Sequence, residues 1–148
     1  MCLSFLFGPK GLGKPFGVES RSITEISSLL LSELPDCSFR FLDNRYRVVP
    51  FGEYVRFVNW DKSDSNIYVP EDLDCDNFAI SLWGSLKGTP RWSGLALGYC
   101  EVETSSGGLH AVNIFVDVDG VVFFVEPQND LYWTVASKKD WVPYFVMI

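Results

Sequence analysis

The sequence contains a single histidine, His110, among its 148 residues. One imidazole excludes, within one copy of the chain, zinc sites that need two or more histidines, such as those of HExxH proteases and Cys2His2 fingers. Basic residues are also few, because 12 Lys and Arg stand against 19 Asp and Glu and give a net charge of −7. Nucleic-acid binding needs clustered basic side chains to contact phosphates, so we expect no nucleic-acid partner.

Long apolar runs are missing as well. Charge-free apolar stretches such as residues 121–125 are far shorter than the roughly 20 residues that cross a bilayer, so we expect no membrane insertion. The apolar start, residues 1–7, lacks a basic region and ends at Gly8-Pro9-Lys10, which does not resemble a signal peptide. These features predict a cytoplasmic chain.

The four cysteines, at positions 2, 37, 75 and 100, are irregularly spaced and form no CxxC pair. In a reducing compartment this spacing predicts free thiols rather than a disulfide framework. Apolar residues, in contrast, are abundant, since 47% of the chain is hydrophobic and 16% is aromatic. Such a composition can repay the entropy of ordering the chain, and the length is typical of one domain. We therefore predict a single domain over residues 1–148.

The predicted elements follow an α+β order. Ser22 and Glu25 form a capping-box pattern ahead of Ile26 and Leu30, which predicts a helix that ends at Pro35. The acidic segment before Cys75 predicts a second helix, from about residue 74 to before residue 88. Extended chain is predicted over 38–49 and 54–60, and strands over 95–102, 109–117, 121–126, 131–135 and 142–148.

A glycine-rich segment near the start resembles a phosphate-binding loop. Gly8, Gly13 and Lys14 match the pattern GxxxxGK. Pro15 follows, however, where a Ser or Thr hydroxyl should bind magnesium. We interpret this segment as a plain glycine-rich loop.

Asp72, Asp74 and Asp76 have the alternating spacing that begins an EF-hand loop. The sixth position is Asn77 rather than glycine, and the twelfth is Trp83 rather than glutamate, which argues against an EF-hand. Acidic residues also favour a helix N-terminus, and this is the interpretation we prefer. A different calcium site that uses these three carboxylates is the alternative.

Cys75, His110 and Glu126 are the residue types that nucleophilic thiol chemistry requires. A thiol needs a base to remove its proton, and the imidazole needs a carboxylate or amide that fixes its orientation. Cys75 at a helix start would gain thiolate character from the positive end of the helix. The alternative is that Cys75 is a small core residue on the same helix face as Phe78.

The hairpin around Gly120 decides whether His110 and Glu126 can meet. A two-residue turn would direct their side chains to opposite faces of the ribbon. A three-residue loop, 118–120, with Gly120 left-handed would direct both to the same face. His110 would then lie opposite Gln128, which could orient the imidazole or donate to an oxyanion. The Asn113 amide is a further candidate for these roles, ranked below Glu126 because it would lie on the other face.

Three segments together resemble a known family: DCDNFA at 74–79, GGLHAVN at 107–113 and EPQND at 126–130. They are similar to the C-terminal domain of the fairy-ring mushroom agglutinin and its relatives among small phage and bacterial proteins. The resemblance covers about residues 68–130. It implies a papain-like cysteine-protease fold, in which a helix carrying the cysteine packs on an antiparallel sheet carrying the histidine and glutamate.

The resemblance also implies a function. Cys75 would be the nucleophile, His110 the general base and Glu126 the orienting group of a cysteine hydrolase that cleaves a peptide or protein substrate through an acyl-enzyme. No cofactor is required for that chemistry, although the resemblance implies calcium dependence, and calcium would offset the carboxylates near Cys75. The alternative is a catalytically inactive papain-like fold that serves as a protein-interaction module, with Trp83, Trp92 or Trp133 as candidate contact residues.

Overall fold

The computed structural model describes residues 11–148. In chain order these residues form β1 (Glu19–Ser22), α1 (Ile23–Glu33), β2 (Ser38–Arg40), β3 (Arg45–Val48), α2 (Phe51–Trp60), α3 (Cys75–Gly88), β4 (Leu97–Thr104), β5 (Leu109–Val116), β6 (Val122–Glu126), β7 (Leu131–Thr134) and β8 (Trp141–Met147), with short 3-10 turns at Ser63–Ser65 and Val135–Ser137. Among these residues, no helix has the length and apolar character needed to cross a bilayer.

A six-stranded sheet in the order β2-β8-β4-β5-β6-β7 forms the centre of the described structure, and β1 and β3 form a separate two-stranded ribbon. Strands β4 to β8 pair antiparallel with their neighbours, whereas β2 pairs parallel with β8. The sheet is therefore mixed.

The sheet separates two hydrophobic cores. On one face, Ile26 and Leu30 of α1 pack with Val112 of β5. On the other face, residues of α2 and α3 such as Leu82 pack with Phe115 of β5. Successive side chains of a strand point to opposite faces, so a single strand supplies both cores.

Both predicted helices are present, and the capping box predicted for the first of them is confirmed. Ser22 is the N-cap of α1 and forms a capping box with Glu25. Asp74 is the N-cap of α3 and forms a capping box with Asn77. These caps satisfy backbone N–H groups that have no partner inside the helix.

The prediction of extended chain over residues 54–60 is wrong, because this segment belongs to helix α2. Its aromatic and β-branched residues favour strands by propensity, but burial decides the outcome here. Tyr54, Phe57 and Val58 are buried at helical spacing. The Tyr54 hydroxyl donates a hydrogen bond to the Val116 carbonyl at 2.9 Å, which attaches α2 to the sheet.

The prediction of a helix packed on an antiparallel sheet also needs correction. Strands outnumber helices in residues 11–148, and β2 adds a parallel edge to the sheet. The three residues of β2 pair with 145–147 and lie next to β8. Their short run, Ser38–Arg40, has no pattern that distinguishes parallel from antiparallel pairing. Gly8 and the rest of residues 1–10, which the sequence assigned to a loop, lie outside the described residues.

Gly98 allows the closest backbone approach in the sheet. A Cβ atom at this position would overlap the Met147 carbonyl oxygen and contact the Ile148 Cα at 2.9 Å. At Gly84, within α3, an added Cβ would have nothing within 4 Å. The two glycines therefore provide a matched pair of positions for the same substitution.

We predict that Gly98→Ala lowers the free energy of unfolding by about 1–3 kcal/mol, because β8 must shift away from β4. Gly84→Ala should raise it by about 0.5–1 kcal/mol through helix propensity. Urea unfolding of both variants at one temperature measures the difference. Equal stability of the two variants would show that β8 has room at Gly98.

Candidate functional site

The β5–β6 hairpin directs His110 and Glu126 to the same face of the sheet. Asn113 pairs with Val125, and the register continues to the loop 118–120. Gly120 is left-handed, with φ of 78°. The three-residue loop predicted from the sequence is confirmed, and it is the register that allows the two side chains to meet.

His110 and Glu126 form a short contact in a largely buried position. The His110 Nε2 atom lies 2.6 Å from Glu126 Oε2, and the two side chains are 18% and 11% exposed. The Gln128 backbone N–H donates to Glu126 Oε1 at 3.3 Å. The His110 ring also meets the Trp141 ring edge-on, with 5.7 Å between centroids. Carboxylate and indole together fix the orientation of the imidazole.

Cys75 is the first residue of α3 and is half-buried. It packs against Ala79, Tyr99 and Ala111, on the face of the sheet that α3 covers. His110 precedes Ala111 in β5, so its side chain leaves the strand on the other face. Among the hydrogen bonds of residues 11–148, none joins the Cys75 thiol to His110.

Of the three predicted residues, the structure thus brings His110 and Glu126 together. Their catalytic assignment, with Gln128 and Asn113 as possible oxyanion or orienting groups, stays a prediction. Gln128 contacts Glu126 through its backbone N–H. Asn113 belongs to the α3 face, as the hairpin register predicted.

Asn113 has a structural role that the sequence did not reveal. Its side chain is completely buried. The amide nitrogen donates to the Ala79 carbonyl of α3 at 2.8 Å and to the Gly98 carbonyl of β4 at 3.1 Å. A buried amide with two such bonds connects helix and sheet, and its removal would leave backbone carbonyls without partners. The alternating pattern of the HAVN segment in β5 indicated the sheet face on which Asn113 lies, but it did not indicate the hydrogen-bond partners of the amide.

The carboxylates proposed for calcium have local roles at the start of α3. Asp74 caps the helix. Asp76 Oδ1 accepts the Asn77 N–H at 2.9 Å. A hydrogen bond with Asp76, with smaller contributions from burial and nearby charge, raises the pKa of Asp74. In the described part of the chain no three His, Cys, Asp or Glu side chains form a group that could hold a metal ion, and Asp72 is exposed. A calcium site at these three carboxylates, and with it calcium dependence, stays a prediction.

The remaining cysteines behave as packing thiols where the structure describes them. Cys37 and Cys100 are buried free thiols. Burial raises the pKa of Cys37 to about 11, and burial also raises the pKa of Cys100. Both thiols are therefore protonated at neutral pH and poorly reactive. Cys2 lies outside the described residues.

The candidate contact tryptophans differ in burial. Trp92 is fully buried and donates its Nε1–H to the Gly13 carbonyl at 2.8 Å, so its prediction as an exposed contact residue is wrong. Trp83 packs partly into the core beneath α3. Trp133 is half-buried beside Trp141, with 5.2 Å between ring centroids.

Trp141 also forms one wall of a surface groove of about 250 Å³, which we call the Trp141 groove. Its charged lining side chains are Glu33, Asp36, Lys138 and Lys139. The Lys138 ammonium lies 4.5 Å from the Trp141 centroid and pairs with the Asp140 carboxylate at 2.8 Å. The groove combines an aromatic surface with charges of both signs.

A half-buried acidic group at the end of β6 and β7 was not found from the sequence. Burial, followed by the charges of Asp64 and Asp61, raises the pKa of Asp130 to about 6. Asp130 also has a positive φ of 57°, a conformation that asparagine adopts as readily as aspartate. Asp130 is far in sequence from Asp61 and Asp64, so no local pattern predicts their proximity.

We predict that Asp130→Asn removes a pH-dependent loss of stability. Between the ordinary pKa of 3.8 and about 6, the folded chain holds a proton that the unfolded chain has lost, so stability falls as pH rises through this range. At pH 7 the variant should be more stable by about 1 kcal/mol, after allowance for partial solvent exposure. Urea unfolding at pH 4, 5, 6 and 7 measures this, with exposed Asp72→Asn as the charge control. A pH dependence unchanged from the wild type would contradict the assignment.

No protein-family model and no curated protein sequence match the chain. Several solved structures are similar, and two of them are described as follows. One, described as "PSL1a-E64 complex", has a TM-score of 0.74 and 26% identity and covers 87% of this chain and 51% of that chain. The other is Polyporus squamosus lectin bound to the human-type influenza-binding epitope Neu5Aca2-6Galb1-4GlcNAc, with a TM-score of 0.72, 26% identity and coverage of 87% and 49%. This chain therefore spans about half the length of the structures that it matches.

These likenesses correct the conclusions drawn from the family resemblance. The neighbour is a lectin, and neither description names a hydrolase. The papain-like cysteine-protease identity, the papain-like fold and the cysteine-hydrolase function are thus wrong, together with the label of a catalytic triad. The arrangement of side chains is consistent with a role without catalysis, because the His110–Glu126 pair lies on one face of the sheet and Cys75 packs on the other. A binding role without catalysis is the alternative that the likenesses favour.

Proposed function

We propose that this chain is a non-catalytic binding module whose ligand is a carbohydrate. The observation that carries the proposal is the similarity, over 87% of the chain, to a lectin bound to a sialylated trisaccharide. The matched region is about half of that lectin. Sugar binding by this chain alone is therefore a property that must be measured directly.

The Trp141 groove has the chemistry that a sugar requires. A pyranose ring presents C–H groups that pack on an aromatic surface and hydroxyl groups that need hydrogen-bond partners. Trp141 supplies the aromatic wall, and Lys139 and Asp36 supply polar groups at the rim. A sugar carboxylate would add an ion pair with Lys139, whereas Lys138 is already paired with Asp140.

The His110–Glu126 pair then has a structural role. Trp141 packs against the His110 ring at 5.7 Å and against Phe124 at 5.5 Å, so the imidazole supports the indole from below the groove. Glu126 fixes the imidazole in turn. In this proposal the pair sets the position of the aromatic wall and does not activate Cys75.

The first experiment measures sugar binding by isothermal titration calorimetry. We expect saturable binding of Neu5Acα2-6Galβ1-4GlcNAc, with a dissociation constant between about 1 μM and 1 mM, typical of a small polar ligand. Lys139→Gln should weaken this binding about threefold or more, through loss of a partly exposed ion pair. Lys62→Gln, at an exposed lysine outside the groove, should leave it unchanged. Absence of binding by this trisaccharide and by Galβ1-4GlcNAc would overturn the carbohydrate proposal.

The second experiment tests the absence of catalysis. We expect iodoacetamide to label Cys75 at the same rate in the wild type and in His110→Ala, because no hydrogen bond connects the two side chains. Casein should remain intact during prolonged incubation, and Cys75→Ser supplies the control for labelling. Labelling that depends on His110, together with casein cleavage that Cys75→Ser abolishes, would contradict a non-catalytic role.

A further inference from the structure

Helix α3 leaves part of one sheet face uncovered. The helix begins at Cys75, which packs near Tyr99 of β4. Farther along the same face, Glu103 pairs with Leu109 of β5 on one side and with Val142 of β8 on the other. Leu109 is 73% exposed and Val142 is 62% exposed. The two exposed apolar side chains thus flank the Glu103 carboxylate on this sheet face, and exposed apolar surface beside polar groups is typical of an interaction surface.

Three tyrosines lie at the border between the covered and the uncovered part of this face. Tyr99 is buried and donates its hydroxyl hydrogen to Glu101 Oε1 at 3.0 Å. Tyr144 is 39% exposed and lies where a β-bulge shifts the register between β4 and β8. Tyr68 is 48% exposed and stacks on Phe78 of α3. We call this surface, with Glu101 and Asp76, the tyrosine platform.

The bulge explains why Tyr144 can contribute to the platform. Glu101 pairs with Phe145, but Val102 pairs with Pro143, so Tyr144 is the extra residue of β8. A bulged residue leaves the regular alternation, and its side chain can be directed differently from those of its neighbours. Burial, followed by the neighbouring Glu101 carboxylate, raises the pKa of Tyr144, so its hydroxyl lies near that carboxylate.

The charges around the platform have one sign. After burial, Glu101 is the main cause that raises the pKa of Tyr99, and Asp76 adds to it. Asp74, Glu71 and Asp76 contribute, after burial, to raising the pKa of Tyr68. The charged side chains that act on these tyrosines are carboxylates. The potential over the platform is therefore negative.

We propose that the tyrosine platform binds a basic, extended polypeptide segment of a partner protein. Tyrosine faces attract Lys and Arg cations, and nearby carboxylates pair with them. The aliphatic stems of these side chains pack on apolar surface, which Leu109 and Val142 provide. The carboxylates of the platform would repel an anionic sugar, so the inference does not depend on carbohydrate binding. Val142 also lines the Trp141 groove, so the two surfaces adjoin at this residue.

The experiment uses a fluorescein-labelled eight-residue peptide of alternating Lys and Gly and measures fluorescence anisotropy with the whole chain. We expect binding that weakens as salt increases, because exposed charges are screened. Glu101→Gln with Asp76→Asn should weaken binding about tenfold, and the amide carbonyl oxygen of the substituted side chain can still accept from Tyr99. Glu33→Gln with Asp119→Asn changes the net charge equally at exposed positions outside the platform and should change binding less than about twofold. Circular dichroism confirms that each double variant is folded.

Two further measurements separate the contribution of the peptide charge from that of the Tyr144 ring. Acetylation of the peptide lysines should abolish binding, since it removes the charge and keeps the length. Tyr144→Leu should weaken binding about threefold by removing the aromatic face while keeping apolar bulk. Equal losses in the two double variants would show attraction by net charge alone and would overturn the proposal. Undiminished binding of the acetylated peptide, or competition by Galβ1-4GlcNAc at the platform, would overturn it as well.

Discussion

The two-residue period of strand β5 is the constraint on which the rest of the structure depends. Val112 and Ile114 point to the core under α1, whereas Ala111, Asn113 and Phe115 point to α2 and α3. A shift of one residue would place the Asn113 amide in the α1 core and remove both of its hydrogen bonds to α3 and β4. The same period puts the His110 imidazole and the Cys75 thiol on different faces. The separation of these two side chains is therefore a property of the sheet and not of their own surroundings.

Local patterns predicted helices α1 and α3 and the β5–β6 hairpin. Both helix caps follow from short-range chemistry. The Ser22 hydroxyl accepts from the Glu25 N–H, and the Asn77 side chain accepts from the Asp74 N–H, with partners three residues apart in each case. The loop before Val121 follows from the need for a left-handed glycine at position 120. From that loop the sequence alone placed the imidazole and the Glu126 carboxylate on one face, without any knowledge of the rest of the fold.

Features that depend on distant contacts could not be predicted in this way. Residues 54–60 form a helix because Tyr54 and Phe57 are buried against the sheet, which the strand propensity of aromatic residues does not reveal. The resemblance of three short segments to a protease family relied on residue types at similar spacing. It carried no information on whether the Cys75 side chain would contact the imidazole, since that depends on how α3 crosses β5. The environment of Asp130 likewise depends on Asp61 and Asp64, which approach it only in the folded chain.

The position of β8 determines when the sheet can be completed during folding. This strand lies between β2 and β4, although about a hundred residues separate β2 from β8 along the chain. Until β8 is inserted, one edge of β4 has unpaired backbone groups, and β2 has no neighbour in the sheet. Closing so long a loop is slow, and in a nascent chain β2 would lack its sheet partner until β8 has been made. The late strand thus makes premature edge-to-edge association the main hazard on the route to the native state.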